Sequence, residues 1–361
     1  MKILVIHASA GAGHLKAAQA ICEGLKKSTS HQVVLADALD YTSPLFKKFY
    51  RAGYNFMVTR APWLWGIFFR LLDIEGIQPL ARVSQRIFNR CSAGRLHAFL
   101  KKEDFDYVIA THFLAPEVTA ALKRSGEIHS RLITVITDFD VHRIWLAEGT
   151  DIYTVACEST KEKINRLGVG EENVRVCGIP VLEQFCASRD KGELKKNLGL
   201  EENAFTVLIA TGSFGIGPIE RLVGALEGFQ TLVVCGHNRA LFERLSARNY
   251  RSARILGLVD NMPELMAVAD VMVSKPGGLS IAEALASQLP MVFFNPIPGQ
   301  ETHNIRVLRE HGIGCFPADI AGIVRELEKL RSSRDFYLTT LKQIRPLARP
   351  MAVRDIIALI K

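Results

Sequence analysis

The chain is 361 residues long, with 48% hydrophobic and 23% charged residues, enough for two domains with full cores and no extended disorder. Its formal charge of +8, with a pI near 9.1, favours anionic partners: phosphate-bearing substrates, anionic lipid or nucleic acid. Seven cysteines without a CxxC pair argue against a disulfide framework or a zinc site and for buried thiols in a reducing compartment. The start, MKILVIHAS, lacks the apolar region and cleavage site of a signal peptide. Arg70 and Asp73 interrupt the best apolar run, WLWGIFFRLL, before it reaches the roughly 18 to 20 residues of a membrane span. A cytosolic protein is expected, with any membrane contact peripheral.

KILVIHA reads as a buried strand, Ser9 to His14 (SAGAGH) as a glycine-rich turn, and Leu15 to Lys27 as an amphipathic helix. HQVVLADA is a second strand. Between Asp40 and Asp73 no acidic residue occurs, while Lys47, Lys48, Arg51, Arg60 and Arg70 interleave with aromatic residues including Phe49, Tyr54, Phe56, Trp63, Trp65, Phe68 and Phe69. Such a segment either covers a sheet face with ordinary helices or lies on an anionic bilayer, where each cation contributes about 1 kcal/mol. A helix is expected over about 79–102, burying Ile87, Cys91, Leu96 and Leu100. Strands DYVIATH, RLITVITDFD, TDIYTVACES and VRVCGIPV follow, with helices near Pro116 to Arg124 and at EKINRLG between them. This alternation predicts a parallel, doubly wound α/β sheet.

From Ser188 to Asn203 the composition turns charged, as a linker with a short helix, and then the pattern restarts. FTVLIAT, the turn GSFGIG, a helix to about Gly228, TLVVCG, a helix to about Arg248, RILGLV and a short helix after Pro263 build a second α/β domain. The expected division is 1–187 and 188–345, with a C-terminal helix in 346–361 packing back toward the first domain and a cleft between the two.

Val273 to Asn304 reads as strand, glycine turn, helix, strand and stiff loop. At Pro276-Gly277-Gly278 the glycines allow a sharp turn and close approach of a ligand, and the following helix N-terminus, with Ser280 near its front, suits a diphosphate. Glu283, one turn in, either faces solvent or accepts from ribose hydroxyls. The loop ends in the polar groups of Gln300, Glu301 and Asn304. Thr211-Gly212-Ser213-Phe214-Gly215 is another glycine turn able to offer N–H groups, but it lacks the Lys-Ser/Thr ending of an ATP-hydrolysing loop. The first turn lacks the third glycine of a dinucleotide fingerprint. His14 serves either as a cap or packing residue or, with its pKa lowered by the helix dipole, as a base near pH 7. Asp138-Phe139-Asp140 is either a metal-binding pair or a cap at a strand end, with His142, Trp145 and the Thr111-His112 strand end lining the same cleft.

With these blocks in view the chain resembles the bacterial and plastid diacylglycerol glycosyltransferases of family 28, relatives of the peptidoglycan lipid II N-acetylglucosaminyltransferase. The likeness runs through SAGAGH, ATHFLAPE, TVITDFDVHRIWLAEGTDIYTVACESTKEKINRLG, VCGIPV, SKPGGLSIAEALA and PIPGQETHN. It implies a GT-B fold, two Rossmann-like doubly wound domains facing a central cleft, with acceptor and membrane on the N-terminal side and a UDP-sugar on the C-terminal side. It further implies inverting transfer of glucose or galactose from UDP-glucose or UDP-galactose to diacylglycerol, with no metal and no obligatory cofactor. By position, His14 matches the general base, with Asp138 next in line, and Gly13, His112, His142 and Trp145 fall on the acceptor side. Ser213, Gly277, Gly278 and Ser280 match diphosphate-holding positions, Glu283 the ribose glutamate, and Val259 and Met262 the backbone contacts to uracil. Gln300, Glu301 and Asn304 match the sugar readers. The Tyr41 to Leu72 segment corresponds to the membrane-associated region, with Lys47, Lys48, Arg51, Trp63, Trp65, Phe68 and Phe69 as its contacts at the inner face of the cell membrane. Nucleic acid is not expected, since the basic stretch is strongly apolar and carries no recognition motif. The alternatives are a relative with a polyprenyl-linked acceptor, a UDP-sugar epimerase, and a non-catalytic UDP-sugar-binding regulator.

Overall fold

The structure, a computed structural model, describes residues 1–9, 11–73 and 94–361. Most of the helix expected over 79–102 lies outside these residues, with Ile87 and Cys91. The chain forms two compact units: Met1–Leu182 with Ile297–Asn304 and Met351–Lys361, and Glu183–Pro296 with Ile305–Pro350.

In the first unit, β1 (Lys2–His7), β2 (Gln32–Asp37), β3 (Tyr107–Ala110), β4 (Arg131–Val135), β5 (Ile152–Val155) and β6 (Val174–Val176) form one sheet in the order β2-β1-β3-β4-β5-β6. Every pairing is parallel. The helices are α1 (Ala12–Ser28), α2 (Pro44–Thr59), α3 (Pro62–Leu71), α4 (Gly94–Glu103), α5 (Leu114–Arg124) and α6 (Glu158–Arg166). Alternate strand residues serve opposite faces. Leu4, Ile6, Val108 and Leu132 pack with Leu96 and Leu100 of α4 and Val118 and Leu122 of α5. Ile3, Val5, Ile109 and Ile133 pack with Ala18, Ile21 and Leu25 of α1. Burial on both faces is why these strands read as continuous apolar runs.

The second unit repeats the plan with β7 (Thr206–Ala210), β8 (Gln230–Val234), β9 (Ala253–Leu256), β10 (Val271–Ser274) and β11 (Met291–Phe293), in the parallel order β11-β10-β7-β8-β9. Its helices include α7 (Lys191–Asn197), α8 (Ile219–Ala225), α9 (Arg239–Ser246), α10 (Met262–Val268) and α11 (Gly278–Ala286). Then come α12 (Gln300–Glu310), α13 (Ile320–Ser332), α14 (Arg334–Ile344) and, among the terminal residues of the first unit, α15 (Ala352–Ile357). α15 packs on α1 so closely that a Cβ on Gly24 would sit 2.3 Å from Val353 Cγ1.

In each sheet the strand order reverses beside the first strand, between β1 and β3 and between β7 and β10. Loops leaving the carboxyl ends of strands at such a reversal diverge and leave room for a ligand. The glycine turns after β1, β7 and β10 all occupy these positions.

Two boundaries differ from the sequence reading. α1 opens at Ala12, because Gly11 at φ +100° makes the turn into the helix, so His14 lies inside its first turn. The segment expected as a loop up to Asn304 becomes helical at Gln300, directly after Gly299 at φ +92°.

Candidate active site

His14 is half-buried in the first turn of α1, and its Nδ1 lies 2.7 Å from the carbonyl oxygen of Thr111 at the end of β3. A carbonyl only accepts, so Nδ1 carries the proton and Nε2 keeps the lone pair. The Thr137 hydroxyl is 3.0 Å from the same Nδ1, and the Thr111 hydroxyl donates to the His14 carbonyl at 2.9 Å. Thus the ends of β3 and β4 fix the ring from two sides. The His112 ring packs edge-on at 4.6 Å and Trp145 lies at 6.0 Å. Burial pushes the His14 pKa down to about 4, against the opposing pull of the Thr111 carbonyl. The ring is therefore neutral near pH 7. Thr137 was not singled out from sequence; its place directly before Asp138 at a strand end was the available signal.

Beyond β4 the chain runs through Asp138, Phe139 and Asp140, and each carboxylate has a protein partner. Gln300 Nε2 donates to both Asp138 oxygens, at 2.8 and 3.0 Å, and Lys163 Nζ of α6 donates to Asp140 Oδ1 at 2.7 Å. Asp138 is 5% exposed, and burial pushes its pKa up to about 6 despite hydrogen bonds from Gln300, Asn304 and Trp145. No group of three His, Cys, Asp or Glu residues arranged to hold a metal occurs among the described residues.

Several of the expected site residues are buried and hydrogen-bonded within the protein. His142 donates from Nε2 to the Phe69 carbonyl at 2.8 Å and accepts the Ile144 N–H at Nδ1 at 3.0 Å, so both ring nitrogens are used on backbone. His112, 2% exposed, accepts the Leu114 N–H, and Trp145 is 3% exposed. Asn304 has no exposed surface, and its Oδ1 accepts the Phe139 N–H at 2.9 Å. Glu301, 8% exposed, accepts the Ile297 N–H at 2.6 Å. Of the three expected sugar readers, Gln300 keeps a partly exposed side chain.

In the second unit, Gly277 caps α11 at φ −75°, an ordinary backbone angle. The sharp turn expected at this glycine is therefore not what the backbone there requires. No side chain caps α11, so the first-turn N–H groups with the half-buried Ser280 form an anion-accepting end. Half-buried Glu283 stands on the same helix, and Lys275, 7% exposed, precedes the turn. In the turn after β7, half-buried Ser213 accepts the His237 N–H on its carbonyl at 2.8 Å. Val259 and Met262, both half-buried, bracket the connection from β9 to α10.

α2 and α3 carry an outward apolar surface. Leu45, Phe49 and Phe56 of α2 are 64, 66 and 57% exposed, and Trp63 and Ile67 of α3 are 63 and 49% exposed. Lys48, Arg51, Arg60 and Arg70 are exposed alongside them, while Lys47 is ion-paired with Asp40. Phe69, expected at a membrane, is 7% exposed: it lies on the inner face of α3, its ring 4.0 Å from that of His142. A Cβ on Gly299 would sit 3.1 Å from the Phe69 ring, so α3 rests directly on the segment that opens α12. Trp65 is half-buried between the Tyr54 and Phe69 rings, and the Phe68 side chain lies outside the description. No helix among the described residues is long and apolar enough to cross a membrane.

Residues 14–181 match the family described as Monogalactosyldiacylglycerol (MGDG) synthase, and residues 206–339 match the Glycosyltransferase family 28 C-terminal domain. The processive diacylglycerol beta-glucosyltransferase of Bacillus pumilus is 29% identical over 351 residues, covering 92% of this chain and 89% of that protein. Its namesake from Bacillus subtilis is 28% identical over 357 residues, covering 96% and 91%. Among solved structures, Acinetobacter baumannii MurG superposes with a TM-score of 0.63 at 15% identity, over 99% of both chains. Anabaena Alr3699/HepE in complex with UDP-glucose gives 0.59 at 15%, over 100% and 99%, and Neisseria meningitidis UDP-GlcNAc 2-epimerase gives 0.60 at 13%, over 99% of both. At these identities the solved structures speak to the GT-B type of fold, two Rossmann-like α/β units, and to nothing finer.

Proposed function

We propose that the chain is a UDP-sugar-dependent glycosyltransferase of the diacylglycerol group, to which its two family matches and its similarity to processive diacylglycerol beta-glucosyltransferases point, and that it moves glucose or galactose from UDP to the hydroxyl of diacylglycerol with inversion. The observation that carries the mechanism is the His14 Nδ1 contact with the Thr111 carbonyl, which leaves Nε2 as the basic nitrogen. Nε2 takes the acceptor hydroxyl proton as its oxygen attacks the anomeric carbon, and the bond from that carbon to the UDP oxygen breaks. Inversion follows when the deprotonated oxygen attacks in one displacement in line with the departing UDP oxygen.

The leaving diphosphate gains charge, and the α11 N-terminus with Gly277, Gly278 and Ser280, aided by Ser213, meets it with oriented N–H and O–H groups. Glu283 accepts from the ribose hydroxyls, and the backbone at Val259 and Met262 holds uracil. Gln300 reads the sugar, with Glu301 and Asn304 holding the segment that carries it. A histidine whose pKa lies well below neutrality is a weak base, and the donor's phosphate charge offsets this by stabilising the imidazolium as it forms.

The acceptor is membrane lipid, and the outward face of α2 and α3 is the proposed site of peripheral contact with the anionic inner surface of the cell membrane. Buried aromatic area supplies the attraction, and Lys48, Arg51, Arg60 and Arg70 supply charge complementarity.

Incubation with UDP-glucose or UDP-galactose, with and without diacylglycerol vesicles, tests the reading. A glycolipid formed only when vesicles are present supports it. UDP-sugar converted to its epimer without acceptor contradicts it in favour of an epimerase, UDP binding without turnover points to a regulator, and transfer only to a polyprenyl-linked lipid corrects the acceptor.

A further inference from the structure

Gln300 and Asn304, four residues apart, share one face of α12: the Gln300 amide donates to the Asp138 carboxylate, and the Asn304 carbonyl oxygen accepts the neighbouring Phe139 N–H. Asn304 is wholly buried and anchors the helix there. Gln300 is partly exposed, with its Nε2 within 2.8 and 3.0 Å of the two Asp138 oxygens. An ionised carboxylate only accepts hydrogen bonds, so it holds the NH₂ end of the amide and turns the carbonyl end outward.

We propose that Asp138 is a positioning residue that fixes the polarity of the Gln300 amide, so that Gln300 meets the donor sugar through Oε1 and accepts a hydrogen bond from one sugar hydroxyl. This rests on the reading of Gln300 as the residue facing the donor sugar. A Gln amide free to turn offers a sugar either a donor or an acceptor. Locked by Asp138 it offers an acceptor in one place, and a hexose whose hydroxyl points away leaves that oxygen unpaired, a strong source of discrimination. Glucose and galactose differ in the direction of one hydroxyl, so the pair Asp138 and Gln300 is assigned as the determinant that separates such donors. Asp138 therefore acts through Gln300, and the acceptor proton goes to His14.

The test is steady-state kinetics with UDP-glucose and UDP-galactose on the wild type, Asp138→Asn, Gln300→Ala and the double variant. An Asn at 138 is close in shape and can donate as well as accept, so it no longer dictates which end of the amide turns outward. The expected result is a rise in KM for the preferred donor of about threefold to tenfold, the size of one neutral hydrogen bond. The preference between the two donors narrows, inhibition by UDP alone is unchanged, and Asp138→Asn adds nothing in the Gln300→Ala background. Gln300→Ala by itself shows the same narrowed preference. The proposal is overturned if donor KM and preference survive Asp138→Asn, if the two effects simply add, or if kcat falls with donor KM intact, as for a lost base. Failure of the underlying reading looks different: wild-type protein that binds neither UDP-sugar overturns both together, whereas wild-type preference that persists in Asp138→Asn overturns this proposal alone.

Discussion

His14 Nδ1 lies 2.7 Å from the carbonyl oxygen of Thr111, and this contact decides which ring nitrogen can receive a proton. The assignment gives a specific expectation. His14→Ala should lower kcat by about 10² to 10⁴, the usual contribution of a positioned base, with UDP affinity nearly unchanged. Steady-state turnover together with calorimetric titration of UDP checks both halves. Undiminished turnover would move the base to another group.

Glu283 should behave in the opposite way. Glu283→Ala removes the acceptor for ribose hydroxyls and should weaken UDP binding by about tenfold or more, the cost of one or two hydrogen bonds to a charged group. Titration with UDP and with uridine alone should show the same loss for both ligands, because the contact is to the sugar of the nucleoside. Equal affinity in variant and wild type would remove Glu283 from the site.

Acidification should expose two opposing titrations. The His14 pKa is pushed down to about 4, from an ordinary value of about 6.5, so the unfolded chain takes its proton first and stability is lost as pH falls from 6.5 toward 4. Burial likewise lowers the pKa of His7, His112 and His142, with the same sign. The Asp138 pKa is pushed up to about 6, above its ordinary value of about 3.9, so the folded chain takes that proton first and stability is gained as pH falls through 6. Thermal melts at pH 7 and pH 5 should show wild type less stable at pH 5, Asp138→Asn with a larger drop and His14→Gln with a smaller one. Three identical drops would contradict these shifts.

Vesicle binding should depend on the outward faces of α2 and α3. Phe49→Ser, Phe56→Ser and Trp63→Ser should each weaken co-sedimentation with anionic vesicles by about tenfold, given the roughly 1.5 to 3 kcal/mol gained by burying a large apolar side chain. Lys48→Gln and Arg51→Gln should cost less, and their effect should fade at high salt. Phe69→Ser should lower the melting temperature, since Phe69 is 7% exposed and packed on His142. Retained binding in the triple serine variant of Phe49, Phe56 and Trp63 would place the membrane face elsewhere.

Both parallel sheets were legible because strands buried on two faces leave continuous apolar runs, and the glycine turns marked where the strand orders reverse. His14 stood out by closing the first of these turns. What sets its tautomer is the carbonyl of Thr111, a backbone atom from a strand 97 residues away, and no side-chain pattern announces that. The orientation of Phe69 was hidden for a related reason: in a helix as apolar as PWLWGIFFRL both faces read alike, and only the contact with His142 and Gly299 separates inner from outer. The helical start at Gln300 was masked by Pro296, Pro298 and Gly299, which read as loop although they precede the helix.

The most direct measurement of the central claim is the anomeric configuration of the product glycolipid, read by proton NMR after reaction with an α-linked UDP-hexose and diacylglycerol. A single displacement by an acceptor hydroxyl deprotonated at His14 gives a β-linked hexosyl diacylglycerol. An α-linked product, or free hexose without any glycolipid, would contradict it.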